Sequence, residues 1–127
     1  RDWIKQAERD LENAKYEIDG EFFEWACFLS QQAAEKALKA VFQKLGGEAF
    51  GHSVFGLLSS LPENYRAGEG LRNKAMELDK AYIPTRYPNA IPDKAPFEVY
   101  TKEEARRLLS HAEEIVKFCK DILSKAE

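Results

Sequence analysis

Two short stretches of the chain hold the residue types best suited to chemistry: AYIPTRYPNAIP, residues 81–92, and QQAAEKALK, residues 31–39. The first sets Arg86 between Tyr82 and Tyr87, and prolines recur at Pro84, Pro88, Pro92 and Pro96. A guanidinium presents fixed donors in a planar fork that fits a phosphate or a carboxylate. The tyrosines offer stacking faces for a base and hydroxyls for hydrogen bonds. A residue that precedes proline is pushed out of the helical region, so 84–100 reads as a long, stiff loop. Loops of that length are uncommon in compact domains and often carry function. Two roles for Arg86 stand level on the residues alone: a ligand for phosphate, or a brace that pins the loop to a helix carboxylate.

In the second stretch, Gln32, Glu35, Lys36 and Lys39 share one side of an otherwise apolar helix. The simpler reading is a solvated stripe with a Glu35–Lys39 pair four residues apart, worth about 0.2–0.5 kcal/mol. The functional reading is a polar strip lining a cleft, with Glu35 facing a cation such as Arg86. Of the two histidines, His52 follows Gly51 and reads as a residue at a helix start rather than a catalyst. His111, between Ser110 and Ala112, is expected at the surface or on a rim.

Several chemistries are disfavoured. A di-iron carboxylate bundle needs paired Glu-x-x-His motifs, whereas His111 and Glu114 stand in the reverse order. There is no phosphate-binding glycine loop and no serine in an elbow motif. Cys27 and Cys119 make no zinc pattern. They read as small buried hydrophobes in a reducing compartment. No metal or cofactor is expected.

Helices must position these groups. Ile4, Ala7, Leu11, Ala14 and Ile18 recur at threes and fours, which predicts a helix over 2–18 that Asp19-Gly20 ends, glycine taking the left-handed conformation cheaply. A second helix is expected over 21–45, stopped by Gly46-Gly47. It carries two apolar stripes, one through Phe22, Trp25, Leu29, Ala33 and Ala37, the other through Phe23, Ala26, Ala34, Leu38, Val41 and Leu45. A helix apolar on two sides must bury both. The favoured reading sets one side against a second copy of the chain; the alternative is a central helix surrounded by its own chain. A short helix over 53–61 has Ser53 as its N-cap, and a fourth, over 69–83, brings Leu71, Ala75, Leu78 and Tyr82 into register. A fifth opens with Thr101 and Glu104 in a capping box and runs to about 124.

The fold expected is all-α: an up-and-down bundle of four long helices plus one short, one domain over 1–127, dimerising through helix faces. The 127 residues are 44% hydrophobic and 32% charged, enough to bury a core. A net charge of −3 argues against a protein that coats nucleic acid, without excluding a local basic cleft. No apolar run reaches the roughly 18 residues that a membrane span needs, and no signal peptide is seen, so a cytoplasmic location is expected.

Four stretches together resemble the HEPN family, small helical domains of prokaryotes that often stand beside a minimal nucleotidyltransferase. They are the opening from Trp3 to Leu11, the core from Trp25 to Ala40, Gly51-His52-Ser53-Val54 with the leucines after it, and the segment from Leu78 to Asn89. The resemblance spans nearly the whole chain. It implies a dimerising bundle and, in many members, a toxin–antitoxin pairing with the nucleotidyltransferase. Many other members are metal-independent RNases that use an Arg, then four to six residues, then a His, in a cleft shared by the two copies. Arg86 matches the arginine. The histidine would fall at 91–93, which are Ile91, Pro92 and Asp93; an ordinary aspartate, ionised above about pH 4, is a poor proton acceptor.

The resulting expectation is a homodimer that partners a minimal nucleotidyltransferase and contacts a nucleotide or RNA phosphate. The site set is Arg86, Tyr82, Tyr87 and Asn89, with Glu35 and Lys36 orienting the cleft from the second helix. Arg86 is also the candidate catalytic residue. The alternatives are a divergent RNase that joins Arg86 to His52 or His111, and a purely structural dimerisation module.

Overall fold

The computed structural model describes residues 2–82 and 99–126. Five α-helices lie within these residues: α1 (Asp2–Asp19), α2 (Phe23–Lys44), α3 (Val54–Ser59), α4 (Glu69–Asp79) and α5 (Lys102–Lys125), with a single 3-10 turn at Glu63–Tyr65. The expected all-α bundle of four longer helices and one short is present. The Arg86 loop, with Tyr87, Asn89, Asp93 and its prolines, lies outside the described residues.

Helix α1 ends where expected, but by a different device. Phe22 N–H bonds the carbonyl of Glu17 (2.7 Å) and Glu21 N–H that of Ile18 (3.0 Å), the paired bonds of a Schellman cap. The left-handed residue of this cap is Glu21 (φ 67°), not Gly20. A Cβ at Gly20 would stand 3.2 Å from the Phe22 ring, which would have to give by a few tenths of an ångström. At the end of α2 the same cap recurs with glycine in the left-handed place. Gly46 has φ 81°, and Gly47 N–H reaches the carbonyl of Phe42 at 2.9 Å.

Ion pairs fix the helix directions. Trp3 and Asp10 of α1 meet Lys39 and Lys36 of α2, so the two run antiparallel. Lys15 and Glu8 pair with Glu113 and Lys120 of α5, and Lys74 and Glu77 of α4 pair with Glu114 and Arg107, so α5 is antiparallel to both α1 and α4. Helix α2 is the axis of the bundle and touches every other helix. Its buried residues are mostly small, including Ala26, Ala33, Ala34, Ala37 and Ala40, which lets the neighbouring backbones approach closely. Much of its two-sided apolar character is therefore met inside the chain. The N-terminal end differs: Phe22 and Trp25, expected in a buried stripe, are 54% and 46% exposed.

Helix α4 stops at Asp79, short of the expected 83, and turns through Lys80 and Ala81. The last residue of the helix, Asp79, holds α3 in place. Its carboxylate accepts from the Ser53 hydroxyl (2.8 Å) and from the N–H groups of Val54 (2.8 Å) and Phe55 (3.0 Å). It thereby caps α3, with Ser53 adding the expected bond from Gly56 N–H. A carboxylate at a helix N-terminus also meets the positive end of the backbone dipoles. At α5, Thr101 accepts from Glu104 N–H at 3.0 Å, as its capping box requires.

Replacing Asp79 by alanine strips four donors of an acceptor: the Ser53 hydroxyl, the N–H groups of Val54 and Phe55, and the Gln31 amide. Asp79→Ala is expected to cost about 2 kcal/mol or more, read as a lower urea midpoint at unchanged m-value, with Asp79→Asn falling between.

Candidate functional site

The polar row of α2 is not a solvated stripe. Glu35 is only 3% exposed. Burying an ionised carboxylate costs several kcal/mol unless donors replace the lost water, and three do so here. Lys39 Nζ lies 2.8 Å from Oε2, His52 Nδ1 3.0 Å from the same oxygen, and Gln32 Nε2 3.3 Å from Oε1. The expected Glu35–Lys39 pair forms, and the ammonium also sits over the Trp3 ring, 5.6 Å from its centre. Lys36 turns the other way. It meets Asp10 of α1 at 2.6 Å, where Gln6 also donates to the carboxylate. Glu35 and Lys36 thus serve different neighbours.

Gln31, fully buried, ties this cluster to the caps described above. Its amide nitrogen donates to the backbone carbonyl of His52 (2.8 Å) and to Asp79 (3.3 Å), while its oxygen accepts from Gln32 (2.9 Å). His52 is therefore held twice from α2, by its backbone through Gln31 and by its ring through Glu35. Gly51 just before it takes φ 78°, a left-handed turn that disfavours any side chain.

A third restraint comes from Tyr82. Its ring stacks on His52, with centroids 5.2 Å apart and planes 13° from parallel. It also packs at a tilt on Phe28, which meets Trp25 edge to face. The aromatic line Trp25, Phe28, Tyr82, His52 thus runs along the outside of α2 to the buried carboxylate. Of the six expected site residues, the structure brings Tyr82 and Glu35 together, with His52 between them. Lys36 stands on the Asp10 side, while Arg86, Tyr87 and Asn89 lie outside the described residues.

His111 also departs from expectation. It is 9% exposed rather than at the surface. Its Nε2 meets Glu77 of α4 at 2.7 Å, and its Nδ1 is buried without a hydrogen-bond partner among the described residues. Arg107 grips the other Glu77 oxygen at 2.6 Å. Partial burial works to raise the Glu77 carboxyl, but the hydrogen bonds from Arg107 and His111 outweigh it and hold the group below its ordinary value. This cluster ties α4 to α5. The thiols offer no nucleophile: burial, helped by Glu104, pushes Cys27 up to about 12, and burial alone raises Cys119. Both are free. Among the described residues no group of three His, Cys, Asp or Glu side chains is placed to hold a metal.

Glu35, His52 and Asp79 carry weak sequence signals. Glu35 and His52 are 17 residues apart and Gln31 and Asp79 are 48 apart. Neither pair shows a local motif; the hint available is a glutamine and a glutamate on the core side of a helix rich in alanine.

The HEPN domain model matches residues 1–122, and the chain belongs to this family. It is 30% identical over 132 residues to "Putative toxin MJ1304" of Methanocaldococcus jannaschii, across 97% of this chain and 87% of that protein. Among solved structures, TT1696 from Thermus thermophilus superposes with a TM-score of 0.93 at 43% identity, covering 96% of both chains. An HEPN domain protein from Thermotoga maritima gives 0.81 at 44% identity, covering 98% of each. ST0689, an archaeal HEPN homologue, gives 0.79 at 43% identity, covering 99% of this chain and 96% of that one. No helix of the described residues is long and apolar enough to cross a membrane.

The Glu77 cluster has a defined pH dependence. A carboxyl held below its ordinary 4.5 adds stability above that pH and loses it as pH falls through the folded-state value. Glu77→Gln is thus expected to lower the thermal midpoint at pH 7, and the gap to wild type should close as the pH drops below about 4.5. A gap that stays constant down to about pH 3 would contradict the assignment.

Proposed function

We propose that this chain is a HEPN-type homodimer that acts as the partner subunit of a minimal nucleotidyltransferase in a toxin–antitoxin-like system, and that its cleft binds a nucleotide or RNA phosphate. The observation that carries this reading is the layered cluster at the α2, α3 and α4 junction. An imidazole lies between a buried carboxylate and Tyr82, and Tyr82 stands four residues before Arg86 in the chain. A site of this composition suits a phosphate ester: Arg86 supplies the fixed charge, and the aromatic line from Trp25 to His52 supplies stacking faces for bases. The likeness to a protein named as a toxin supports the toxin–antitoxin setting. The exposed Phe22 and Trp25 leave apolar area at one end of α2 for the second copy.

The role of Arg86 separates this reading from the purely structural one. Arg86→Ala is expected to weaken binding of a single-stranded RNA, followed by fluorescence anisotropy, by about tenfold or more, the worth of a charged hydrogen bond to phosphate. Its thermal midpoint should stay within a degree or two of wild type. Unchanged RNA affinity with a large fall in midpoint would make Arg86 a brace. Light scattering on the same samples should give twice the chain mass, and the protein should co-elute with its nucleotidyltransferase when the two are co-expressed.

A further inference from the structure

We infer that the hollow at the end of the bundle where α1 begins and α2 and α5 end binds a small alkyl carboxylate, in its simplest form a free fatty acid. The hollow lies at the other end of α2 from Phe22 and Trp25 and shares no residue with the cluster around Glu35. It is therefore separate from the site on which the function proposed above rests.

Its volume is about 640 Å³, within the roughly 300–1,000 Å³ of small-molecule sites. The apolar walls come from three helices: Ile4 of α1, Ala40 of α2 and Leu123 of α5. Nearer the middle of the bundle the alanines of α2 are sealed, with Ala33, Ala34 and Ala37 fully buried alongside Ala7 and Ala14 of α1. At this end α2 again offers only a methyl group, at Ala40, while Ile4 and Leu123 stay partly exposed around it. Space is left between the three helices. No aromatic ring lines it among the described residues, so it suits an aliphatic chain and gives a base no stacking face.

The polar lining is of one kind. Lys44 and Lys120 bring ammonium groups, Gln43 an amide and Ser124 a hydroxyl, and all of these donate hydrogen bonds. No carboxylate lines the hollow among the described residues, in a chain whose Asp and Glu outnumber Lys and Arg by 22 to 19. The groove farther along α1 and α5 provides the contrast, since there Glu8, Glu113 and Asp121 answer Lys117 and Lys120. Lys120 gives one donor to Glu8 at 2.6 Å and keeps two. Lys44 has no ion-pair partner among the described residues. In the last turn of α2 it also meets the negative end of the backbone dipoles, but that role needs no apolar hollow beside it. A carboxylate head among these donors, with its chain on Ile4, Ala40 and Leu123, uses both halves of the lining.

The test titrates the full chain with octanoate and decanoate, each below its micelle concentration, by calorimetry and by ¹H–¹⁵N spectra. Expected is one decanoate per chain, bound about tenfold more tightly than octanoate because two more methylenes are buried, with amide shifts centred on residues 4, 40–44 and 120–124. Decyltrimethylammonium, with the same chain and the opposite charge, should not bind, and vesicles of anionic phospholipid should not sediment the protein. Lys44→Glu should weaken decanoate by about tenfold or more, the worth of a charge-assisted bond. Ser124→Trp, which sets a ring into the hollow from its rim, should abolish binding, and both variants should keep the thermal midpoint of wild type. Decanoate that does not bind, that binds Ser124→Trp or Lys44→Glu as tightly as wild type, or that shifts amides elsewhere overturns the inference. Protein that sediments with the vesicles but ignores decanoate overturns it too, and assigns the lysines to a lipid surface.

Discussion

The rest of the site depends on one buried charge. Glu35 sits on the central helix of the bundle with almost no contact with water, and an uncompensated carboxylate there would cost more than the surrounding packing returns. Its three donors come from different places. Gln32 and Lys39 are its own helix neighbours, and His52 arrives from the start of α3. The two local donors are supplied by α2 itself. The third ties the position of α3 to the carboxylate, so that burying Glu35 also fixes an exposed imidazole.

The same logic extends outward through Gln31 and Asp79. Gln31 links the backbone at His52 to Asp79, and Asp79 caps α3 from the last residue of α4. Three helices are thus joined at one point by polar groups that satisfy one another. Tyr82 follows closely after α4, and its ring stacks on His52 at this junction. At the far side of α4, Glu77 with Arg107 and His111 holds the helix to α5. Both faces of α4 are therefore anchored by a carboxylate with a histidine or a helix start as its partner.

Local chemistry is legible in the sequence, and long-range pairing is not. The periodicity of α1 and α5 marks their extents to within a residue or two, and Ser53 and Thr101 are readable as caps because capping is settled within four residues. The left-handed residue after α1 falls one position later than the glycine suggests, at Glu21. Glu35 reads as solvated and His111 as exposed for one reason: a polar residue on a helix looks the same whether it meets water or a partner far along the chain. The two-sided apolarity of α2 does signal a demand for burial, and most of that demand is met by helices of the same chain. The family resemblance singles out Arg86 and points away from an ordinary histidine partner at 91–93, which are Ile91, Pro92 and Asp93.

The central claim is that Glu35 sets the tautomer and orientation of His52. The most direct measurement is a long-range ¹H–¹⁵N correlation spectrum of the histidine side chains, recorded at a pH where His52 is neutral, for wild type and Glu35→Gln. The account expects His52 to carry its proton on Nδ1, with Nε2 bare, and expects that preference to weaken when the carboxylate is replaced. A neutral His52 with its proton on Nε2 and a spectrum indifferent to Glu35 would contradict it.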